Sequence, residues 1–325
     1  MKQKKPLIVL TGPTAVGKTK LSIELAKAVN GEIISADSMQ VYRYMDIGSA
    51  KIKKEETEGI PHHLIDILKP TEAFNVVIFQ KLVKKAILEI YGRGKIPILT
   101  GGTGFYIQSV LYDIDFTEND ENTVYREELL KLAEENGSSY LHDLLKEVDQ
   151  KAAEEIHPNN IKRMIRALEF HQQTNSMISE HNEKEKLKNS NYASCYFVLN
   201  DDRDKIYARI EERVDQMIED GLVEEVKHLV KMGCKREMVS MQGIGYKEIL
   251  SFLADEISLD EAISDIKKNS RHFAKRQITW FRREKDVCWL GKPDFSYDEK
   301  AMLSFMVQKI EETFRKEDKD KDEQQ

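Results

Sequence analysis

The run GPTAVGKT occupies residues 12–19, with the apolar PLIVLT before it and LSIELAKAV after it. No other feature of the chain narrows its possible folds so far. The spacing G-x-x-x-x-G-K-[ST] is that of a phosphate-binding loop, which works only where a buried strand delivers the chain to a helix N-terminus. Both flanks have that character. Backbone N–H groups from Gly12 through Thr14, Ala15, Val16 and Gly17 can close around an anion, Lys18 adds a point charge, and the Thr19 hydroxyl can ligate Mg2+. The motif leaves open whose phosphate is held. ATP is the default, but any diphosphate satisfies the same amides and lysine. A nucleotide hydrolase would also carry an apolar strand ending in a metal-binding Asp, and HLID, ending at Asp66, is a weak match.

Further apolar runs follow: GEIISADS, KIPILTGG, CYFVLN and VCWL, alternating with amphipathic stretches such as DRDKIYARIEERVDQMIEDG, which ends near Gly221. Strands alternating with helices predict an α/β fold, a parallel sheet flanked by helices of the P-loop NTPase kind. From about Asp115 the pattern turns helical and charge-rich, through TVYREELLKLAEENGSSYLHDLLKEV and NIKRMIRALEFHQ. This predicts an all-helical insertion over 115–194 between two parts of a catalytic core, 1–114 and 195–300. Residues 301–325 would be the end of a helix and, from about Phe314, a disordered charged tail.

Of the 325 residues 40% are apolar and 33% charged, which excludes disordered and collagen-like chains. The basic start MKQKK precedes too short an apolar run for a signal peptide, and no membrane-length apolar segment occurs, so a cytoplasmic location is expected. Cys195, Cys234 and Cys288 are too scattered for a zinc site or a disulfide framework. With a net charge of −7, any nucleic acid must be held by a local basic patch.

Asp37 directly follows the run EIISA. Ligands of parallel sheets bind outside the carboxyl ends of strands, so Asp37 is expected at the crevice of the phosphate loop, where it could take a proton from an acceptor. It could equally cap the segment that follows. Thr103, in GGTG, falls at the same rim, as a site residue or as a turn.

The ordered set GPTAVGKT, ADSMQVYRYMDIGSAK, PHHLIDI, LTGGTGFY, HPNNIKRMIRALE, DRDKIYARIEERVDQMIEDGL, QGIGYKE and FAKRQITWFR resembles the bacterial tRNA dimethylallyltransferases, also called tRNA isopentenyltransferases, over about residues 6–290. The resemblance implies that the phosphate is that of dimethylallyl diphosphate. It also implies that the acceptor is N6 of adenosine 37, beside the anticodon in the anticodon stem-loop of tRNAs reading codons that begin with U. Asp37 would then be the general base. The loop, Lys18, a Thr19-bound Mg2+ and Arg203 would stabilise the leaving diphosphate, with Thr103 near the reacting centre. tRNA contacts are implied at Asp37, Ser38, Met39 and Gln40, at Lys162, Arg163, Met164, Ile165 and Arg166, and at Arg126. A monomer is expected.

The stretch 266–285 independently suggests RNA. It carries eight lysines and arginines against the single Glu284, with Phe273, Trp280 and Phe281 interleaved. Arg271, Lys275 and Arg282 recur along one helical face, with Arg276 beside them, as a backbone-tracking stripe would. The aromatics read equally well as core anchors. Three other readings remain open. A P-loop kinase would leave the basic stretch idle, an adenylate isopentenyltransferase would lack tRNA contacts, and an RNA-binding module would not need Lys18, Thr19 and Asp37 together.

Overall fold

Leu7, Ile8, Val9 and Leu10 are all fully buried, which is why PLIVLT reads as an unbroken apolar run rather than an alternating one: helices cover both faces of its sheet. The computed structural model describes residues 4–116 and 123–322. The opening MKQ and the last three residues of the charged tail lie outside that range. Six strands, β1 (Lys5–Thr11), β2 (Gly31–Ala36), β3 (His62–His63), β4 (Ile96–Gly101), β5 (Tyr192–Asn200) and β6 (Val287–Gly291), form one parallel sheet in the order β3-β2-β4-β1-β5-β6. The chain leaves β1 toward β2 on one side and later reaches β5 on the other. The carboxyl end of β1, where the phosphate loop begins, is therefore a topological switch point.

The helices are α1 (Lys18–Ala28), α2 (Val76–Gly92), α3 (Gly104–Leu111), α4 (Thr123–Asn136), α5 (Ser138–Val148), α6 (Gln150–Glu155), α7 (Ile161–Thr174), α8 (Ile178–Leu187), α9 (Arg203–Glu219), α10 (Leu222–Lys231), α11 (Tyr246–Leu253), α12 (Leu259–Phe281) and α13 (Glu299–Asp322). No helix among the described residues is long and apolar enough to cross a membrane.

The chain divides into two compact units, residues 1–111 with 190–325, and residues 112–189. In the first, Leu21 and Leu25 of α1 and Met302, Met306 and Ile310 of α13 pack on Ile8, Leu10 and Phe197 of the sheet. Helix α13 continues through Asp322, where the sequence predicts disorder from Phe314. Packing of its first turns nucleates the helix, and Lys, Arg and Glu then propagate it at little cost, aided by the Glu311–Arg315 pair at 2.9 Å. The edge strand β3 ends at His63, so only the first residue of HLID is in it, and Asp66 accepts from the Lys51 ammonium at 2.5 Å.

The second unit comprises α4 to α8 around Leu129, Leu141, Leu145, Met164, Ile165 and Leu168. Its polar node is the buried Asp149, which caps α6 through the Ala152 amide and accepts from both the amide and hydroxyl of Ser179.

Candidate functional site

Each part of the phosphate loop has a local cause. Gly12 has φ +147, and a Cβ there would lie 2.2 Å from the Leu199 carbonyl, so β5 admits only glycine at this point. Gly17, at φ +97, turns the chain into α1. Val16 is buried in the sheet core and Ala15 packs on Ile206, Ile210 and Ala274, so these two residues can offer an anion only their amides. The Thr14 amide is committed, donating to Gln277 Oε1 at 2.8 Å.

Lys18 Nζ donates to the carbonyls of Gly12 and Pro13 at 2.9 and 2.8 Å. Burial, reinforced by the Arg213 guanidinium and opposed by Asp37, lowers its pKa to about 7. Thr19 is exposed in the first turn of α1, and no described residue hydrogen-bonds to its hydroxyl. One hydroxyl with no carboxylate cluster around it suits Mg2+, which keeps most of its waters and takes its other ligands from phosphate.

Asp37 caps the segment that follows it. Its Oδ1 accepts from the amides of Met39 and Gln40 at 2.8 and 3.3 Å, the geometry of a cap. Its carboxyl is nonetheless held above the usual aspartate range, because burial outweighs those two amides and the attraction of Lys18. Tyr106 and Tyr42 are close neighbours in this wall: burial pushes the Tyr106 hydroxyl up to about 12, and Tyr42 and then Asp37 add to that. The Thr103 amide donates to Ala36 O at 3.3 Å, which ties the GGTG turn to the end of β2 beside Asp37. Gln40 is turned inward, accepting from Ser35 at 3.0 Å. Downstream, Glu225 of α10 accepts from the amides of Asp46, Ile47 and Gly48 and from the hydroxyl of Tyr246, pinning the loop that follows Asp37.

Arginines that the sequence did not single out also border the loop. Arg203 opens α9, exposed and stacked over Tyr207 at 5.0 Å. Arg209 donates to Ala15 O at 2.9 Å and to the buried Asp201 at 2.6 Å, while Arg213 is the arginine that acts on Lys18. The usable sequence signal was helical phase: Ile206, Ile210 and Val214 mark the inward stripe of α9, and Arg209 and Arg213 border it.

Gln277 was also missed. It is 5% exposed, and besides the Thr14 amide it reaches Gly102 O at 3.0 Å, bolting the phosphate loop to the GGTG turn. Its signal was a glutamine among Ala274 and Phe281 on the apolar face of α12. Trp280 lies against Gly104, where a Cβ would fall 2.2 Å from the ring, and Phe281 is fully buried. Phe281 is thus a core anchor, while Trp280 is half-buried.

The basic stretch divides in two. Arg271 is paired with Glu211 at 2.7 Å and Lys267 with Asp215 at 2.6 Å, so both fasten α12 to α9. Lys275, Arg276 and Arg282 are exposed. Lys275 and Arg276 line a cavity of about 380 Å3 with His272, Thr279, Trp280 and Arg283.

In the helical unit, Met164 and Ile165 are 0% and 3% exposed inside the core and cannot touch a partner. Lys162 and Arg163 are exposed on the opposite face, with Arg166 half-buried. Arg126 makes a bidentate pair with the buried Glu169, at 2.8 Å to each oxygen.

Residues 40–284 match the family model described as IPP transferase. The chain is 58% identical over 307 residues to a tRNA dimethylallyltransferase of Lachnoclostridium phytofermentans, covering 94% of this chain and 98% of that one. It resembles the crystal structure of the tRNA isopentenylpyrophosphate transferase of Bacillus halodurans at 45% identity and a TM-score of 0.73, over 97% of this chain and 99% of the other. A eukaryotic dimethylallyltransferase acting on tRNA matches at 32% identity and a TM-score of 0.77, over 90% and 75% of the two chains.

Proposed function

Since the chain belongs to the IPP transferase family, we propose that it transfers the dimethylallyl group of dimethylallyl diphosphate to N6 of adenosine 37 of tRNA. The observation that carries this reading is a carboxylate of raised pKa at the same rim as an anion loop. An exocyclic amine is a weak nucleophile because its lone pair is delocalised into the ring. As that lone pair forms the C–N bond, the allylic C–O bond breaks and its electrons leave with diphosphate. Asp37 takes the N6 proton, and a carboxylate raised above its usual range is the better base for that step.

Loop amides and Lys18, with Arg209 and Arg213 behind them, meet the charge growing on the leaving group. Mg2+ bound at Thr19 would supply further charge to the diphosphate. The base must leave its stack to reach Asp37. Exposed Lys275, Arg276 and Arg282 on the core, and Lys162 and Arg163 on the helical unit, are the phosphate contacts that offset this cost.

The test is transfer of label from dimethylallyl diphosphate to unmodified tRNA, to the same tRNA with guanosine at position 37, and to free AMP. Label on the adenosine tRNA alone is expected. Label on AMP would make the enzyme an adenylate isopentenyltransferase, and ATP consumption without label would make it a kinase.

A further inference from the structure

Strand β6 ends at Gly291, and Lys292 opens a one-turn 3-10 helix, Lys292–Phe295, beyond the residues matched by the family model. The Lys292 ammonium stands over the phosphate loop: a Cβ built on Gly17 would lie 3.0 Å from Nζ. This lysine is half-buried and, among the described residues, its side chain makes no hydrogen bond or ion pair. Its surroundings are poor for a cation. Burial lowers its pKa, and Arg209 and Lys20 lower it further. The two carboxylates that oppose them are committed elsewhere, Asp201 to Arg209 at 2.6 Å and Glu299 to Lys20 at 2.6 Å. A lysine kept partly out of water among like charges destabilises its charged form, and nothing among the described residues compensates. An anion on the loop would.

We propose that Lys292 is a further binding residue for the donor, reaching over Gly17 to the second phosphate of the diphosphate. The assignment rests on the loop being a diphosphate site. Loop amides and Lys18 surround one phosphate from within, and a diphosphate brings a second group that they do not enclose. Lys292 meets that group from outside. The assignment also gives Gly17 a second reason to lack a side chain, since a Cβ would crowd the ammonium.

The experiment is calorimetric titration of Mg2+ and inorganic pyrophosphate into the wild type, Lys292→Met, Lys292→Arg and Lys18→Met, with inorganic phosphate as a second probe. Methionine keeps the aliphatic stem, and equal melting temperatures establish folding. Lys292→Met is expected to bind pyrophosphate about tenfold more weakly, the loss of one charge-assisted hydrogen bond. Arginine should recover most of it, while binding of inorganic phosphate and of tRNA is unchanged. Pyrophosphate affinity within about twofold of wild type in folded Lys292→Met, with Lys18→Met impaired, overturns the role of Lys292 alone. Failure of the wild type to bind pyrophosphate overturns the diphosphate reading of the loop, and the proposal with it.

Discussion

Asp37 and Lys18 have opposite pKa displacements from one cause, removal of charge from water, and each leads to a measurable consequence. Asp37 must be deprotonated to act as base, so the transfer rate is present above its pKa and lost as pH falls through it. With that pKa raised, the acid limb of the single-turnover profile should lie above about pH 4. Asp37→Asn retains a side-chain oxygen for the Met39 and Gln40 amides, so it should fold normally while losing about 100- to 10,000-fold in rate. Lys18, at about 7, is partly neutral at neutral pH. Binding of diphosphate favours the charged ammonium, so complex formation should take up a proton, and affinity should fall as pH rises above about 7. Calorimetry in buffers of different ionisation enthalpy reads that proton directly.

Helix α12 divides its labour along its length and around its circumference. Ser258 caps it with Glu261, Ala274, Gln277 and Phe281 face the core, Lys267 and Arg271 pair with α9, and the exposed Lys275 and Arg276 face solvent. Alanine at Lys275 or Arg276 should weaken tRNA binding and lower the slope of log affinity against log salt by about one for each phosphate no longer engaged. Arg271→Ala should leave that slope nearly unchanged, because its charge is already neutralised by Glu211. Binding measured at several salt concentrations separates the two groups. In the helical unit, periodicity correctly separates the Met164 and Ile165 face from the arginine face; the error lies in assigning tRNA contacts to both faces.

At the opposite end of β2 from Asp37, a charge cluster around one buried carboxylate ties the sheet to the turn after α2. Glu32, 2% exposed near the start of β2, accepts from Arg93 through both oxygens, from Lys95 at 3.2 Å and from His63 at 2.7 Å. Led by the Arg93 bonds, these partners hold its pKa at about 2 against an ordinary 4.5. Because the folded-state value is the lower one, the stabilisation is present above pH 4.5 and is lost as pH falls toward 2; it amounts to about 3 kcal/mol. Glu32→Gln should therefore destabilise the protein at about pH 7 in urea melts, with a difference that shrinks at about pH 3. The strands other than the short β3, the phosphate loop, the place of Asp37 after β2 and the family could be read from the residues, since each depends on contiguous stretches and short spacings. Arg209, Arg213, Gln277 and Lys292 could not be placed at the loop. They lie far from it in the chain, Arg209 by 194 residues from Ala15 and Gln277 by 263 from Thr14. They meet it because the sheet order sets β5 beside β1, because Arg209 and Arg213 border the inward stripe of α9, and because Gln277 lies on the buried face of α12.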